Sequence, residues 1–318
     1  MYQVISGRKG LGPMLKDCSH LLFYKVLKRK YFCFESFLEH KLKTTQEYIN
    51  IDELKKASLD YDYVICGSDQ IWKPGISDFD EAYLLPFVSC KKIAYAPSYG
   101  PYRPFPPAYV EMFKRNLQDF KAISVREEGT KQVLHESIGI DNMEVVCDPV
   151  FLLDKDKWAA LIPEKPIISG KYIFFYSLFA DGEMIRMAKE LSHKTGLPVV
   201  SSNFSTIHDL TSGFRKVLDC GPLEFLNLIK NAEIVCTSSF HGTALTLILN
   251  KQIISLKGKS DNRIKQILTT MDVEQVSYET AAELHQCKEL PAINYDEVNP
   301  RILQYRGTDL NFLKNNIR

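Results

Sequence analysis

The chain predicts an α/β protein of two domains, each built on a parallel sheet, and three observations carry that prediction. Short apolar runs alternate with helical segments along most of the sequence, which is the rhythm of βαβ units. The 318 residues exceed what one core usually serves, and a charged stretch with Pro163, Pro166 and Gly170 at Asp154–Lys171 divides them. An apolar run from Ala232 to Val235 leads through Thr237-Ser238-Ser239 to His241 and Gly242, then to apolar Thr243–Leu249. That order reads as a buried strand delivering a histidine to the first turn of a helix.

The elements follow in order. Residues 13–60 read as helical and polar, ending with Ile51–Leu59. Tyr63–Cys66 is a short strand, and Gly67-Ser68-Asp69-Gln70 is the turn after it. A second strand, Lys91–Ala96, runs into Pro97-Ser98-Tyr99-Gly100 and a proline-rich loop up to Pro107. Tyr109–Phe120 reads as a helix and Ala122–Val125 as a third strand ending in Arg126-Glu127-Glu128. A helix to about Ser137 and a strand Glu144–Cys147, leading into Asp148-Pro149, complete the first half. The second half restarts with strand Tyr172–Ser177, helix Glu183–Thr195 and strand Val199–Ser201. Pro222 suits the first position of a helix over 222–230, where its missing N–H costs nothing. Strand Ile234–Cys236, the histidine helix, strand Ile253–Leu256 and a polar helix over 300–316 finish the chain. The expected domains are 1–160, including a basic helical segment, and 161–290, with a tail 291–318 crossing back to the first.

Composition narrows the function classes. The formal net charge of +1 gives no global field favouring nucleic acid. Residues 1–43 are locally basic: Arg8, Lys9, Lys16, Lys25, Lys28, Arg29, Lys30, Lys41 and Lys43 stand against Asp17, Glu35 and Glu39. Phe23, Tyr24, Tyr31, Phe32 and Phe34 are interleaved with them. The favoured reading is a solvated helix whose aromatics pack on the main body; the alternative is peripheral contact with an anionic membrane surface. The eight cysteines form no CxxC pair and no metal-ligand spacing, a reduced, intracellular pattern. Met1–Leu15 lacks the apolar region of a signal peptide, and no apolar run is long enough to span a bilayer. A cytoplasmic protein is expected.

Four strand ends offer chemistry. Gly67, Ser68, Asp69 and Gln70 form a tight polar turn that could meet a ligand or simply cap a helix. Trp72 is a stacking surface or, more plainly, core. Ser98 and Tyr99 face a ligand or build a structured turn. Arg126, directly after an apolar strand, is poorly placed for a core, and its planar fork suits a carboxylate or phosphate; the alternative is an ion pair with Glu127, Glu128 or Asp148. His241, with Ser238 and Ser239, stands where an open α/β sheet binds ligands and where a helix start favours anions, or else is a capping or core histidine. Cys66, Cys147 and Cys236 sit in apolar runs and read as small hydrophobes, not nucleophiles. No Gly-x-Gly-x-x-Gly loop, Walker loop or Gly-x-Ser-x-Gly elbow is present.

Five segments in register, Tyr61–Trp72 (YDYVICGSDQIW), Ile93–Gly100 (IAYAPSYG), Ile123–Glu127 (ISVRE), Asp148–Leu153 (DPVFLL) and Thr237–Thr243 (TSSFHGT), resemble the polysaccharide pyruvyl transferase family over about residues 60–270. The resemblance implies two Rossmann-like domains facing across a cleft, as in GT-B glycosyltransferases. It implies transfer of pyruvate from phosphoenolpyruvate, as a cyclic ketal, to a sugar of a capsular or exopolysaccharide intermediate. Two departures stand out: no Asn-Tyr-Gly-type loop precedes the first helix, and Ser239 stands where relatives often carry arginine. Donor charge then falls to Arg126, or to Arg263 or Lys257. On this reading Arg126 holds the carboxylate or phosphate, His241 moves the proton and binds phosphate, and Asp69 is a base or anchor for the acceptor hydroxyl. Gly67, Ser68, Gln70, Ser98, Tyr99, Ser238, Ser239, Gly242, Thr243 and Arg263 are the expected substrate contacts. No metal or cofactor is required beyond phosphoenolpyruvate as donor. The expected partners are that donor and a lipid-linked or nucleotide-linked glycan, at the inner face of the membrane. The alternatives are a sugar-nucleotide glycosyltransferase of the same architecture and a non-catalytic glycan-binding module.

Overall fold

The computed structural model describes residues 24–100, 103–202, 207–256 and 261–317. Arg8, Lys9, Lys16, Asp17, Phe23 and Lys257 lie outside them. In chain order the elements are α1 Tyr24–Lys41, α2 Ile51–Lys56, β1 Tyr63–Cys66, β2 Lys91–Ala94, α3 Val110–Leu117, β3 Phe120–Val125, α4 Glu128–Ile138 and β4 Met143–Val145. Then come α5 Lys155–Leu161, β5 Ile173–Tyr176, α6 Gly182–Thr195, β6 Val199–Ser201, α7 Ile207–Leu210, β7 Arg215–Lys216, α8 Pro222–Asn231 and β8 Ile234–Thr237. The chain continues with α9 Phe240–Ile248, β9 Gln252–Leu256, α10 Asn262–Met271, β10 Ser277–Tyr278, α11 Ala281–Gln286 and α12 Tyr295–Asn316.

The elements fall into two compact α/β units, both Rossmann-like. One comprises Gln46–Leu153 with Asn299–Arg318; the other takes in Asp154–Val298 and the described part of Met1–Thr45. The sequence groups 1–160 together, whereas α1 clusters with the residues from Asp154 onward.

The first unit holds a four-stranded sheet in the order β1-β2-β3-β4, every pair parallel. Alternation along its strands feeds two cores, because successive side chains point to opposite faces. Cys66, Ala94, Ile123 and Val125 join α3 and α4 through Phe113, Leu117, Val133, Leu134 and Ile138. In α4 these recur at helical spacing, and Gly139 closes the helix in the left-handed conformation with φ 80°. Ile93, Tyr95 and Val146 meet Phe312 of α12 in the second core. Asp309 of α12 accepts the Cys147 N–H at 3.0 Å, and Tyr305 meets Phe151 edge-on at 5.4 Å. The sequence reading starts α12 at Pro300, but the helix begins at Tyr295 and carries the proline inside it.

The second unit holds a six-stranded parallel sheet in the order β10-β9-β8-β5-β6-β7. From β5 the chain steps outward through β6 and β7, then returns to lay β8, β9 and β10 on the other side of β5. The order reverses between β5 and β8, and the crevice beyond the carboxyl ends of two such strands is where open α/β sheets take ligands. Helix α9, which follows β8, is buried at Phe240 and from Gly242 through Ile248; His241 is exposed.

The aromatics of α1 do not all pack on the body: Tyr24, Phe32, Phe34 and Leu38 are exposed, and no residue of the helix is buried. The helix rests on the second unit near Cys33, whose Cβ a methyl on Gly221 would strike, and through Arg29 paired with Asp219 at 3.1 Å. Among the described residues no helix is long and apolar enough to cross a membrane.

Candidate functional site

In the first unit, the carboxyl ends of all four strands are tied into one polar network. After β1, Asp69 takes φ 88°, ψ 179°, a region almost reserved for glycine. Its backbone is held there from outside: the Asp69 carbonyl accepts the Ser98 N–H at 2.8 Å, and Asp69 pairs with Pro97 as an isolated parallel bridge. Its carboxylate accepts the Gln70 N–H at 2.8 Å and remains largely exposed. Trp72, two positions further on, is core: it is fully buried, edge-on to Phe113 and Phe120, and donates to the Tyr83 carbonyl at 3.2 Å.

Arg126 is the centre of the network. The sequence reads it as poorly placed for a core, with an ion pair to Glu127, Glu128 or Asp148 as the alternative. The ion-pair alternative is what the structure shows, and Arg126 is only 4% exposed. Carboxylates make that possible: Nη1 donates to Asp148 at 2.8 Å, Nε lies 3.4 Å from Glu127, and Nη2 is 3.7 Å from Asp69. Burial pushes the guanidinium pKa down, but the Asp148 hydrogen bond and the Glu127 charge more than offset this and raise it. The same carboxylates bind the neighbouring loops. Asp148 accepts the Ser68 hydroxyl at 3.0 Å and the Val150 N–H at 3.0 Å. Glu127 accepts the Ser98 hydroxyl, the Thr130 hydroxyl at 2.9 Å and the Gly100 N–H at 3.3 Å. With one formal positive charge among Asp69, Glu127 and Asp148, the cluster is net negative, which repels an anion and suits a hydroxyl that must lose a proton.

The remaining expected contacts of this unit serve the turn itself. Tyr99 is buried, its ring 5.7 Å from Phe105 and its hydroxyl donating to the Pro104 carbonyl at 3.2 Å, so it faces the core. Gln70 lies over Gly100, where φ is 84° and a methyl would come within 3.0 Å of the Gln70 Oε1. Gly67 is exposed at the strand end.

In the second unit the polar groups collect at the reversal between β5 and β8. Ser177, which follows β5, and Ser238, which follows β8, share a hydroxyl–hydroxyl bond of 2.8 Å. Thr237 donates to the Tyr176 carbonyl at 2.7 Å and accepts the Ser239 N–H at 3.1 Å. Ser239 caps α9 by accepting the Gly242 N–H at 3.3 Å. Gly242 lies against Thr237 and Thr243 returns its hydroxyl to the Ser239 carbonyl at 3.0 Å, so both build the helix start. What this packing leaves at the surface is the His241 ring, edge-on to Phe240 at 5.3 Å.

Arg263 is committed elsewhere. Its Nε and Nη2 reach Asp261 at 3.2 and 3.0 Å, at the start of α10. Burial would raise the Asp261 carboxyl, but Arg263 holds it below the usual range. The interior thiols are inert: burial pushes Cys66 up to about 12 and raises Cys147 and Cys236 as well. Among the described residues no group of three or more His, Cys, Asp or Glu is placed to hold a metal ion.

The profile of one family, polysaccharide pyruvyl transferase, matches residues 15–260. The chain belongs to the polysaccharide pyruvyl transferase family. The match spans Asp69, Arg126 and His241 and stops short of Arg263 and α12. This family membership makes the chain a member of a transferase family of polysaccharide biosynthesis. No curated protein matches it at significant similarity. Among solved structures, it is similar to the UDP-GlcNAc 2-epimerase of Methanocaldococcus jannaschii, with 14% identity over 89% of this chain and 81% of that one and a TM-score of 0.41. It is also similar to AviGT4, a glycosyltransferase involved in avilamycin A biosynthesis, with 12% identity over 85% and 78% of the two chains and a TM-score of 0.44.

Within the pyruvyl transferase frame, Glu127, Asp148, Thr130, Ser177 and Thr237 are polar groups of the two strand-end clusters that the sequence reading did not single out as contacts. Asp148 and Glu127 lay inside the quoted motifs, which was the available signal. Ser177 carried none beyond ending an apolar run.

Proposed function

We propose that this chain transfers pyruvate from phosphoenolpyruvate onto a sugar of a polysaccharide-biosynthetic intermediate, forming a cyclic ketal and releasing inorganic phosphate. The observation that carries the reading is the family match across the segment in which Asp69 and His241 stand exposed at two polar strand ends. Phosphoenolpyruvate brings a carboxylate and a phosphate. The start of α9, with its dipole, the Ser238 and Ser239 hydroxyls and the His241 imidazole, favours such an anion. His241 protonates the methylene carbon, which leaves an oxocarbenium-like centre at the neighbouring carbon. A sugar hydroxyl attacks that centre and gives up its proton, with Asp69 as the base. The phosphate then leaves as the second hydroxyl attacks, and its proton goes to the departing phosphate. Arg126 keeps a different task from the one read in sequence: enclosed by Asp148 and Glu127, it positions Asp69 and leaves donor binding to the second unit.

The test is phosphate release from phosphoenolpyruvate with lipid-linked and nucleotide-linked sugar acceptors, wild type beside His241→Ala. Acceptor-dependent release is expected, with a product heavier by one pyruvate less water, and a loss of about 100-fold or more in the variant, the size of a missing acid–base group. A chain that ignores phosphoenolpyruvate but binds a nucleotide diphosphate would be a glycosyltransferase instead.

A further inference from the structure

Helix α1 keeps several large apolar side chains at the surface. Tyr24, Leu27, Tyr31, Phe34 and Leu38 recur at alternating spacings of three and four along one side of the helix, with Leu27 and Tyr31 half-buried. Tyr24 is 43% exposed, Phe34 44% and Leu38 43%, and Leu42, just past the helix end, is 48% exposed. Phe32, on another flank, is 57% exposed. The helix meets its own unit at Cys33 and through Arg29, while Tyr24, Phe34 and Leu38 stay exposed. Between α1 and α8 there is also a groove of about 250 Å3, lined by Phe32, Phe37 and Leu223 with Arg29 and Lys41.

Charge selects the occupant. Over residues 24–43, Lys25, Lys28, Arg29, Lys30, Lys41 and Lys43 stand against Glu35 and Glu39 alone. A second copy of the helix would bring two like-charged surfaces together, which opposes pairing. An anionic bilayer surface attracts the same cations and takes up the aromatic side chains at headgroup level. Lys28 already lies over two of those rings, 6.0 Å from the Tyr24 centroid and 5.7 Å from the Phe32 centroid. This sets cation and ring at one height, as an interfacial helix requires.

We propose that α1 docks the protein on an anionic phospholipid surface, lying in the interface with its exposed Tyr24, Phe34 and Leu38 turned into the lipid. The inference stands apart from the reaction, since it needs neither His241 nor Asp69.

Sedimentation of the full chain with vesicles of phosphatidylcholine alone, and of phosphatidylcholine with phosphatidylglycerol, tests it. Binding is expected only to the anionic vesicles and is expected to fall with added salt. The double variant Phe34→Ser/Leu38→Ser should weaken it by about tenfold or more through lost apolar burial. Lys25→Glu/Lys28→Glu should weaken it without touching those apolar side chains. All four positions are exposed, so both variants should melt with the wild type. Absence of anionic binding, equal binding to neutral vesicles, or binding unchanged in both variants would overturn the proposal. A dimer in light scattering that Phe34→Ser/Leu38→Ser dissolves would assign those side chains to a second copy instead.

Discussion

Gly242 stands so close to Thr237 that a methyl at 242 would lie 2.6 Å from the Thr237 Oγ1. That oxygen cannot retreat, because it donates to the Tyr176 carbonyl at 2.7 Å and accepts the Ser239 N–H at 3.1 Å. The glycine is therefore required by packing between a strand end and the helix start that carries His241. Gly242→Ala should cost about 1–3 kcal/mol in urea unfolding, the range for overpacking, and should lower turnover further by shifting His241. Unchanged stability would mean that the Thr237 rotor gives way without cost.

The buried ion network around Arg126 makes a prediction about its partners. Asp148→Ala removes the carboxylate that Arg126 meets at 2.8 Å and should cost about 3–5 kcal/mol, because a buried guanidinium loses its best counter-charge. Arg126→Met on that background should recover part of the loss, since no charge then needs a partner. A double variant as unstable as Asp148→Ala would place the cost in the lost Ser68 and Val150 bonds.

Asp69 offers a separation of stability from activity. At φ 88° and ψ 179°, a side chain costs about 1–3 kcal/mol that glycine does not. Asp69→Gly should therefore be more stable than Asp69→Ala by about that amount in thermal or urea unfolding, while both should lose turnover alike under the proposed role of Asp69 as base. An alanine variant as stable as the glycine variant would show that the backbone relaxes.

A pH dependence follows from Asp309. Burial raises its carboxyl above the usual value, though the Cys147 N–H pulls the other way. The folded state thus holds this proton more tightly than the unfolded chain. Its contribution is fully present below about pH 3.9, the ordinary carboxyl value, and fades as pH rises through the elevated native value. Asp309→Asn still accepts a hydrogen bond but does not ionise. The melting temperature of Asp309→Asn relative to wild type should climb as pH rises from about 4 toward neutrality. A difference flat with pH would mean that the carboxyl titrates alike in both states.

Much of the fold is legible in the sequence because strands of parallel sheets are continuous apolar runs. Tyr63–Cys66 and Val199–Ser201 fall where the pattern puts them, and the serine at 239 marks the helix start that places His241 in its first turn. The interior of the site is less legible. Arg126 is buried by a carboxylate 22 positions away, and Ser177 meets a hydroxyl 61 positions away, distances at which no local pattern speaks. The φ of Asp69 is set by Ser98 and Pro97 on another strand end, so the turn residues alone could not announce it. In α1 the alternation of basic and aromatic residues is plain, but which face rests on the body depends on Gly221.

The unit built on Gln46–Leu153 has a consequence for its own synthesis. Its second core is closed by Phe312 and Asp309 from Asn299–Arg318, and all of Asp154–Val298 is translated in between. While the ribosome makes that intervening stretch, Ile93, Tyr95 and Val146 face water and the Cys147 N–H has yet to meet Asp309. The nascent four-stranded sheet is thus half-covered for the time it takes to make Asp154–Val298. A chaperone has an apolar face to cover there, and a stop before Asp309 leaves that face open.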